Sequence, residues 1–127
     1  MLKESSSSVQ IFYPKFDRAE LIQRLQQKLG DLSKELPLLL VVLFGSYAQG
    51  NYTVASDVDL LIVYEGEGRK DAFALAKKTL DIPLLEPHVY SENEYEECGD
   101  LIARMETGGI VLFSRTDEKD AIKRHQL

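Results

Sequence analysis

Two aspartates, Asp57 and Asp59, stand at the head of an aliphatic run that continues from Leu60 to Val63. On an extended strand residues two apart project from the same face, so both carboxylates point one way while Val58 points into the protein. Two like charges about 4 Å apart repel by roughly 4 kcal/mol at an effective dielectric of about 20. A divalent cation that prefers oxygen ligands, most simply Mg²⁺, removes this repulsion and also binds phosphate oxygens. Taken alone, such a pair is more typical of a solvated turn before a strand, and it favours a metal site only together with a phosphate-binding corner placed beside it.

A glycine-serine pair before the aspartates has the properties of a phosphate-binding corner. Gly45 and Ser46 end the aliphatic run of residues 38–44. Glycine lets the backbone approach a phosphate closely, and the unpaired N–H groups of a helical turn beginning at the serine would bind an anion. Ser46 could instead be only a helix N-cap, which uses the same geometry. For Ser46 and Asp57 to share a ligand, the two aliphatic strands must be antiparallel neighbours.

The spacing of these residues resembles a known signature. Gly45-Ser46, ten intervening residues (47–56), Asp57-x-Asp59 and an aliphatic strand look like the DNA polymerase beta-like nucleotidyltransferase superfamily. The sequence GSYAQG…SDVDLLIV is most similar to that of the minimal nucleotidyltransferase (MNT) branch of this superfamily. The resemblance covers roughly residues 36–113, and it is specific because the two pairs occur together between two aliphatic strands.

The resemblance implies a set of site residues. Asp57, Asp59 and Glu86 would be the catalytic and metal-binding carboxylates for Mg²⁺, with Mn²⁺ as an alternative ion. Asp59 and Glu86 would hold a second metal, and Glu86 could accept the proton of the attacking hydroxyl. Gly45 and Ser46 would bind the nucleotide through its β and γ phosphates. The other interpretation of Glu86 is an exposed strand carboxylate between two prolines.

Four further residues bear on the chemistry of the site. Tyr47 and Gln49 stand where relatives often carry arginine, which implies fewer charge-assisted bonds to the triphosphate. His88, two residues after Glu86, could support a carboxylate or could be an ordinary strand histidine. Cys98 has no neighbouring histidine in sequence to activate it, so no chemistry is assigned to it.

The reaction that the resemblance implies is Mg²⁺-dependent transfer of a nucleoside monophosphate to a hydroxyl acceptor. The nucleoside triphosphate would be ATP, the transferred group AMP and the leaving group pyrophosphate. In the minimal branch the usual partner is a helical HEPN-type protein, often a toxin that the nucleotidyltransferase neutralises as antitoxin. Two alternatives stay open: a non-catalytic antitoxin that acts by binding only, and an enzyme that nucleotidylates a small molecule in a pocket completed by a homodimer.

Three helices are predicted to flank the sheet. Asp17 and Glu20 form a capping box before a leucine stripe at helical spacing: Leu21, Leu25, Leu29, Leu32 and Leu36. Residues 69–80 form a second helix with four inward-facing side chains: Ala72, Phe73, Ala76 and Leu80. Ser91 and Glu94 form another capping box, followed by a core stripe of Tyr95, Cys98, Ile102 and Met105.

The strands define the fold class as α/β (α+β), a small mixed β-sheet of about four strands. The predicted strands are residues 38–44, the run beginning at Asp57, residues 82–90 at an edge because of Pro83 and Pro87, and residues 110–113. A further short edge strand is predicted over residues 9–13. Within one nucleotidyltransferase domain (9–113), this sheet must bring the acids and the glycine-serine corner together.

Composition narrows the class of protein. The 127 residues carry 21 acidic and 15 basic side chains, a net charge of −6, so long nucleic acid is a poor partner. No apolar run approaches the ~20 residues that span a membrane, and MLKESSSS lacks the apolar segment of a signal peptide, which predicts a cytoplasmic protein. Residues 1–8 are predicted to be a flexible leader and 114–127 a charged tail.

Overall fold

The computed structural model describes residues 17–53 and 56–115. The predicted leader, the predicted edge strand over residues 9–13 and the tail beyond residue 115 lie outside the described residues. Within them the chain forms, in order, α1 (Arg18–Leu32), β1 (Leu38–Phe44), α2 (Ser46–Gln49), β2 (Val58–Tyr64), α3 (Ala72–Leu80), β3 (Leu85–Ser91), α4 (Glu92–Glu97), α5 (Gly99–Glu106) and β4 (Ile110–Ser114).

The four strands form one mixed sheet in the order β3-β2-β1-β4. β1 is antiparallel to β2 and to β4, whereas β2 and β3 run parallel. The predicted fold class and the antiparallel pairing of the two aliphatic strands are therefore confirmed. β3 lies at an edge, where Pro87, which has no N–H to donate, is tolerated.

Helix α1 follows its sequence signals closely. The Asp17 carboxylate accepts from the N–H of Glu20 at 2.8 Å, and the Glu20 carboxylate accepts from the N–H of Asp17 at 3.2 Å, so the predicted capping box forms. The leucine stripe is buried against the sheet, with Leu21, Leu25 and Leu32 fully inaccessible. The helix ends at Leu32 rather than continuing to Pro37.

Phe73 was expected to face inward and does not. Its side chain is 48% exposed, whereas Ala72, Ala76 and Leu80 are buried. Residues four apart share a helix face, and Phe73 lies about 100° around from Ala72. It packs instead beneath the Lys77 ammonium, 5.8 Å from the ring centroid.

Two other boundaries differ from the sequence interpretation. The last predicted helix is two short helices, because Cys98 takes φ −103° and ψ 32° between α4 and α5 and Gly99, a weak helix former, follows. Residues 82–84 belong to a turn rather than to β3, and Leu84 takes a positive φ of 61°. The N–H of Val58 donates to the Leu84 carbonyl at 2.8 Å, so this turn ties the start of β2 to the start of β3.

The two faces of the sheet carry separate clusters of buried side chains. Helices α1 and α3 cover the larger cluster, which includes Leu25, Val41 and Ile62. On the other face α5 contributes Ile102 to a smaller cluster with Val42 and Leu61, and Phe44 packs at its border. Within the described part of the chain, no helix is both long and apolar enough to cross a membrane.

Candidate active site

The strand directions bring the predicted site residues to one rim of the sheet. Asp59 of β2 lies directly opposite Phe44, the last residue of β1, and directly beside Glu86, the second residue of β3. Because β1 ends where β2 and β3 begin, Gly45 and Ser46 follow at the same rim. Neighbouring strands are about 4.8 Å apart, so Asp59 lies between the glycine-serine corner and Glu86.

Gly45 has a backbone conformation that only glycine adopts readily, with φ 76° and ψ −151°. The space beside its Cα is also filled. A Cβ atom built there would overlap Asp59 Oδ2 and would lie 3.2 Å from Asp59 Cγ. The glycine therefore lets the backbone corner and the carboxylate lie in direct contact.

Ser46 is the first residue of α2, a single helical turn. Gly45 is the N-cap, so the alternative role of Ser46 as N-cap is wrong. The turn is closed at its other end by two N–H groups that donate to the Ser46 carbonyl, from Gly50 at 2.9 Å and from Asn51 at 3.2 Å. The start of α2, with the N–H groups that a helix leaves unpaired, lies at the rim beside Asp59.

Arg18 fixes α2 from behind. Its Nη1 donates to the carbonyls of Tyr47 at 3.3 Å and Ala48 at 2.9 Å, which are acceptors that the short helix leaves free. Its backbone N–H donates to the Tyr52 hydroxyl at 3.1 Å. The sequence interpretation missed Arg18, because a contact across 30 residues leaves no local pattern.

Tyr47 packs α2 against the interior of the protein. Its side chain is 3% exposed, and its ring stacks on that of Tyr52 with centroids 4.3 Å apart and planes 12° from parallel. Burial, with a smaller contribution from Tyr52, raises the pKa of Tyr47 above its usual value. The residue that stands in the place of an arginine is therefore part of the core, while Gln49 is exposed.

Asp59 is the electrostatic centre of the rim. Burial is the largest cause that raises its pKa, and the charges of Asp57 and Glu86 raise it further, against a lowering by His88. Each of the three carboxylates thus contributes to one region of negative potential. Asp57 and Glu86 are exposed, whereas the Asp59 side chain is 29% exposed.

His88 lies on the inner side of these acids. Its Nε2 is 3.6 Å from Asp59 Oδ1, which is longer than a hydrogen bond. That nitrogen is buried and has no hydrogen-bond partner. The imidazole lies against Phe44, with ring centroids 5.1 Å apart and planes tilted by 59°. Of the two interpretations of His88, the structure shows the one in which the ring adjoins a carboxylate.

The donor set at the rim fits a hard divalent cation. Asp57, Asp59 and Glu86 offer oxygen ligands, which Mg²⁺ and Mn²⁺ prefer. Among residues 17–53 and 56–115, no three carboxylate, imidazole or thiol side chains already enclose a metal position. Mg²⁺ is usually held by one or two carboxylates together with substrate phosphates and water rather than by an all-protein cage. The contact of Gly45 with Asp59 leaves the backbone corner directly beside the carboxylate, where such phosphates would have to lie.

A comparison with known families places the chain in one of them. Residues 19–122 match the family model for the nucleotidyltransferase domain. The chain therefore belongs to the nucleotidyltransferase domain family, and the class of enzyme expected from the sequence is confirmed at that level.

Individual relatives extend the comparison. A candidate protein adenylyltransferase of Methanocaldococcus jannaschii is 46% identical over 44 residues, which are 35% of this chain and 26% of that protein. The match thus spans about a quarter of the length of that relative.

Solved structures share the fold. A candidate nucleotidyltransferase from Sulfolobus solfataricus superposes with a TM-score of 0.54 at 18% identity, over 91% of this chain and 94% of that one. A chain from the complex of a tri-AMPylated HEPN toxin of Shewanella oneidensis with its MNT antitoxin superposes with a TM-score of 0.51 at 21% identity, over 83% and 87% of the two chains. These superpositions confirm the nucleotidyltransferase fold that the sequence predicts.

Proposed function

We propose that this chain transfers AMP from ATP to a hydroxyl group of a partner protein, in a reaction that requires Mg²⁺ or Mn²⁺. The observation that carries the proposal is the position of Asp59, which has Glu86 beside it on one strand and Gly45-Ser46 against it on the other. A shared rim of this kind is needed to hold a triphosphate and an attacking oxygen together.

Each residue has a role in this reaction. Asp57 and Asp59 bind the metal, which when present neutralises triphosphate charge and orients the phosphates. The N–H groups at Gly45 and Ser46 donate to β- and γ-phosphate oxygens. Glu86 accepts the proton of the acceptor hydroxyl, whose oxygen bonds to the α-phosphorus while the bond to the β-phosphate oxygen breaks and pyrophosphate leaves.

A helical HEPN-type protein is the acceptor that we propose, with this chain as its antitoxin. The support is the fold shared with an MNT antitoxin whose HEPN toxin partner is tri-AMPylated. Helices α1 and α3 pack against one face of the sheet and α5 against the other, so they are used for the core. We propose that a second chain completes the acceptor pocket.

The alternative of a binding-only antitoxin requires the third acid to lie far from the aspartates. Glu86 is the register partner of Asp59, on an adjacent strand of the same sheet. This placement favours catalysis. The alternative of a small-molecule acceptor with a homodimeric pocket is an outcome that the following experiment distinguishes.

The experiment is label transfer from α-³²P-ATP with Mg²⁺, with and without the HEPN-type protein. Label on that protein is expected, together with its loss in Asp57→Asn and its retention in the control Asp31→Asn, which changes an exposed acid of α1. Complex formation without label would replace the proposal by binding only. Label on a small hydroxyl compound but not on the protein would replace it by the small-molecule reaction.

A further inference from the structure

We propose that His88 is a positioning residue that holds the carboxylate of Asp59 in the orientation needed for metal binding. This inference rests on the proposed function and adds to it a residue that does not itself touch metal or nucleotide. It acts through a donor, the Nε2–H group, that faces Asp59 Oδ1.

The strand register places His88 one row further inside the sheet than the acids. Asp59 pairs with Glu86, whereas His88 pairs with Leu61, which is fully buried. The imidazole therefore stands between the apolar floor of the sheet and the acidic rim. His88 therefore approaches Asp59 from the interior of the sheet, whereas Glu86 lies beside Asp59 at the rim.

Phe44 restricts the direction of the imidazole. This phenylalanine is the cross-strand partner of Asp59, and its ring packs at 5.1 Å from the imidazole. With one side of the imidazole against Phe44, Nε2 is directed toward Asp59. A movement of about 0.6 Å would shorten the 3.6 Å separation to an ordinary N–H···O distance.

The burial of Nε2 points to a specific role. The His88 side chain as a whole is 35% exposed, so solvent is available to part of it. Nε2 is nevertheless buried and has no hydrogen-bond partner. A buried polar nitrogen without a hydrogen-bond partner is unfavourable, and this one lies 3.6 Å from the carboxylate that the proposed metal would bind.

Asp59 is then in contact with two groups at its two oxygens. Oδ1 faces His88, and Oδ2 lies against the backbone at Gly45. We expect these two neighbours to restrict the rotation of the Asp59 carboxylate. Ligating carboxylates are commonly oriented by such neighbours, and loss of the neighbour typically lowers metal affinity by about 10- to 100-fold.

The test compares Mn²⁺ binding to the full chain, measured as free Mn²⁺ by electron paramagnetic resonance at one fixed pH. The variants are His88→Leu, which removes the donor, and His88→Gln, whose amide nitrogen can reach toward Asp59. His88→Asn has the same amide on a shorter side chain. The matched control is Tyr90→Phe, which changes the same face of β3 two residues farther from the rim. Thermal unfolding of each variant separates a folding defect from a loss of affinity.

The expected result is a Kd for Mn²⁺ about tenfold higher or more in His88→Leu, with recovery to within about threefold of wild type in His88→Gln. His88→Asn is expected to bind as weakly as His88→Leu, and Tyr90→Phe as tightly as wild type. In the transfer reaction kcat is expected to fall in His88→Leu while KM for ATP changes little. If His88→Leu does not fold, the Kd values for Mn²⁺ of His88→Gln and His88→Asn are compared instead, and tighter binding by His88→Gln supports the role of His88.

Two outcomes separate this inference from the proposed function. Wild-type affinity in His88→Leu, or equal affinities in folded His88→Gln and His88→Asn, would overturn the role of His88 alone. A wild-type chain that binds no Mn²⁺, with or without a non-hydrolysable ATP analogue, would overturn the proposed metal site and the role of His88 with it.

Discussion

Gly45 lies against the carboxylate of Asp59 so closely that no side chain fits between them. The two residues are on different strands, and the contact joins the backbone corner to the acid at the centre of the rim. It therefore ties the proposed phosphate-binding and metal-binding groups into one unit.

This contact predicts that Gly45→Ala abolishes transfer and destabilises the fold. The substitution introduces both backbone strain at a φ of 76° and a steric overlap with Asp59. We expect a free energy of unfolding lower by about 2 kcal/mol or more, measured by urea denaturation. Gly108→Ala is a matched control, because Gly108 has a φ of 77° with nothing within 4 Å of a Cβ. Similar losses of transfer in both variants would contradict the importance of the contact.

Glu86 is expected to matter for chemistry and not for folding. Its side chain is exposed, so Glu86→Gln should unfold at nearly the wild-type temperature. The amide cannot accept the proton of the acceptor, and we expect a kcat lower by about 10²-fold or more. The control Glu67→Gln changes an exposed acid of the β2–α3 loop. A wild-type kcat in folded Glu86→Gln would show that Glu86 is a solvated carboxylate with no part in the reaction.

Arg18 is expected to couple α1 to the nucleotide site. Arg18→Met keeps much of the side-chain volume but removes the donor to the Tyr47 and Ala48 carbonyls. We expect a free energy of unfolding lower by about 1–2 kcal/mol and a higher KM for ATP, since α2 is less well fixed. Steady-state kinetics and denaturation measure the two effects, with Arg104→Met of α5 as control. An unchanged KM would show that α2 keeps its position without Arg18.

Substitution of Leu25 in α1 and of Phe73 in α3 tests which of the two side chains belongs to the hydrophobic core. Leu25 is fully buried and Phe73 is 48% exposed. Leu25→Ala is expected to lower the free energy of unfolding by about 2–5 kcal/mol. Phe73→Ala should lower it by less than about 1 kcal/mol, because nearly half of its side chain is already exposed to solvent. Equal losses would mean that Phe73 is packed inside the protein.

The features that the sequence predicted are those with a local cause. The capping boxes at Asp17 and Ser91 form because a cap involves residues three apart. The aliphatic run of β1 predicts a strand covered on both faces, and the structure shows this. The condition that Ser46 and Asp57 share a ligand predicts antiparallel neighbours, which the structure also shows. The roles of the site residues and the domain boundaries remain predictions.

The features that were missed depend on contacts between distant residues or on small angular differences. Arg18 reaches across 30 residues to α2. A neighbouring carboxylate was one of two interpretations of His88, but its identity as Asp59 depends on the register of two parallel strands. Phe73 fits a helical stripe in sequence, but its position one residue after Ala72 turns it toward solvent. The division between α4 and α5 depends on the backbone angles of one residue, Cys98, which lie outside the α-helical range.

The most direct test of the central claim is a crystal structure of the chain with Mn²⁺ and a non-hydrolysable ATP analogue, with the metal located by its anomalous scattering. We expect a peak within about 2.3 Å of carboxylate oxygens of both Asp57 and Asp59, with the β and γ phosphates at Gly45 and Ser46. An ordered nucleotide bound elsewhere, or one bound with no peak at these aspartates, would contradict it.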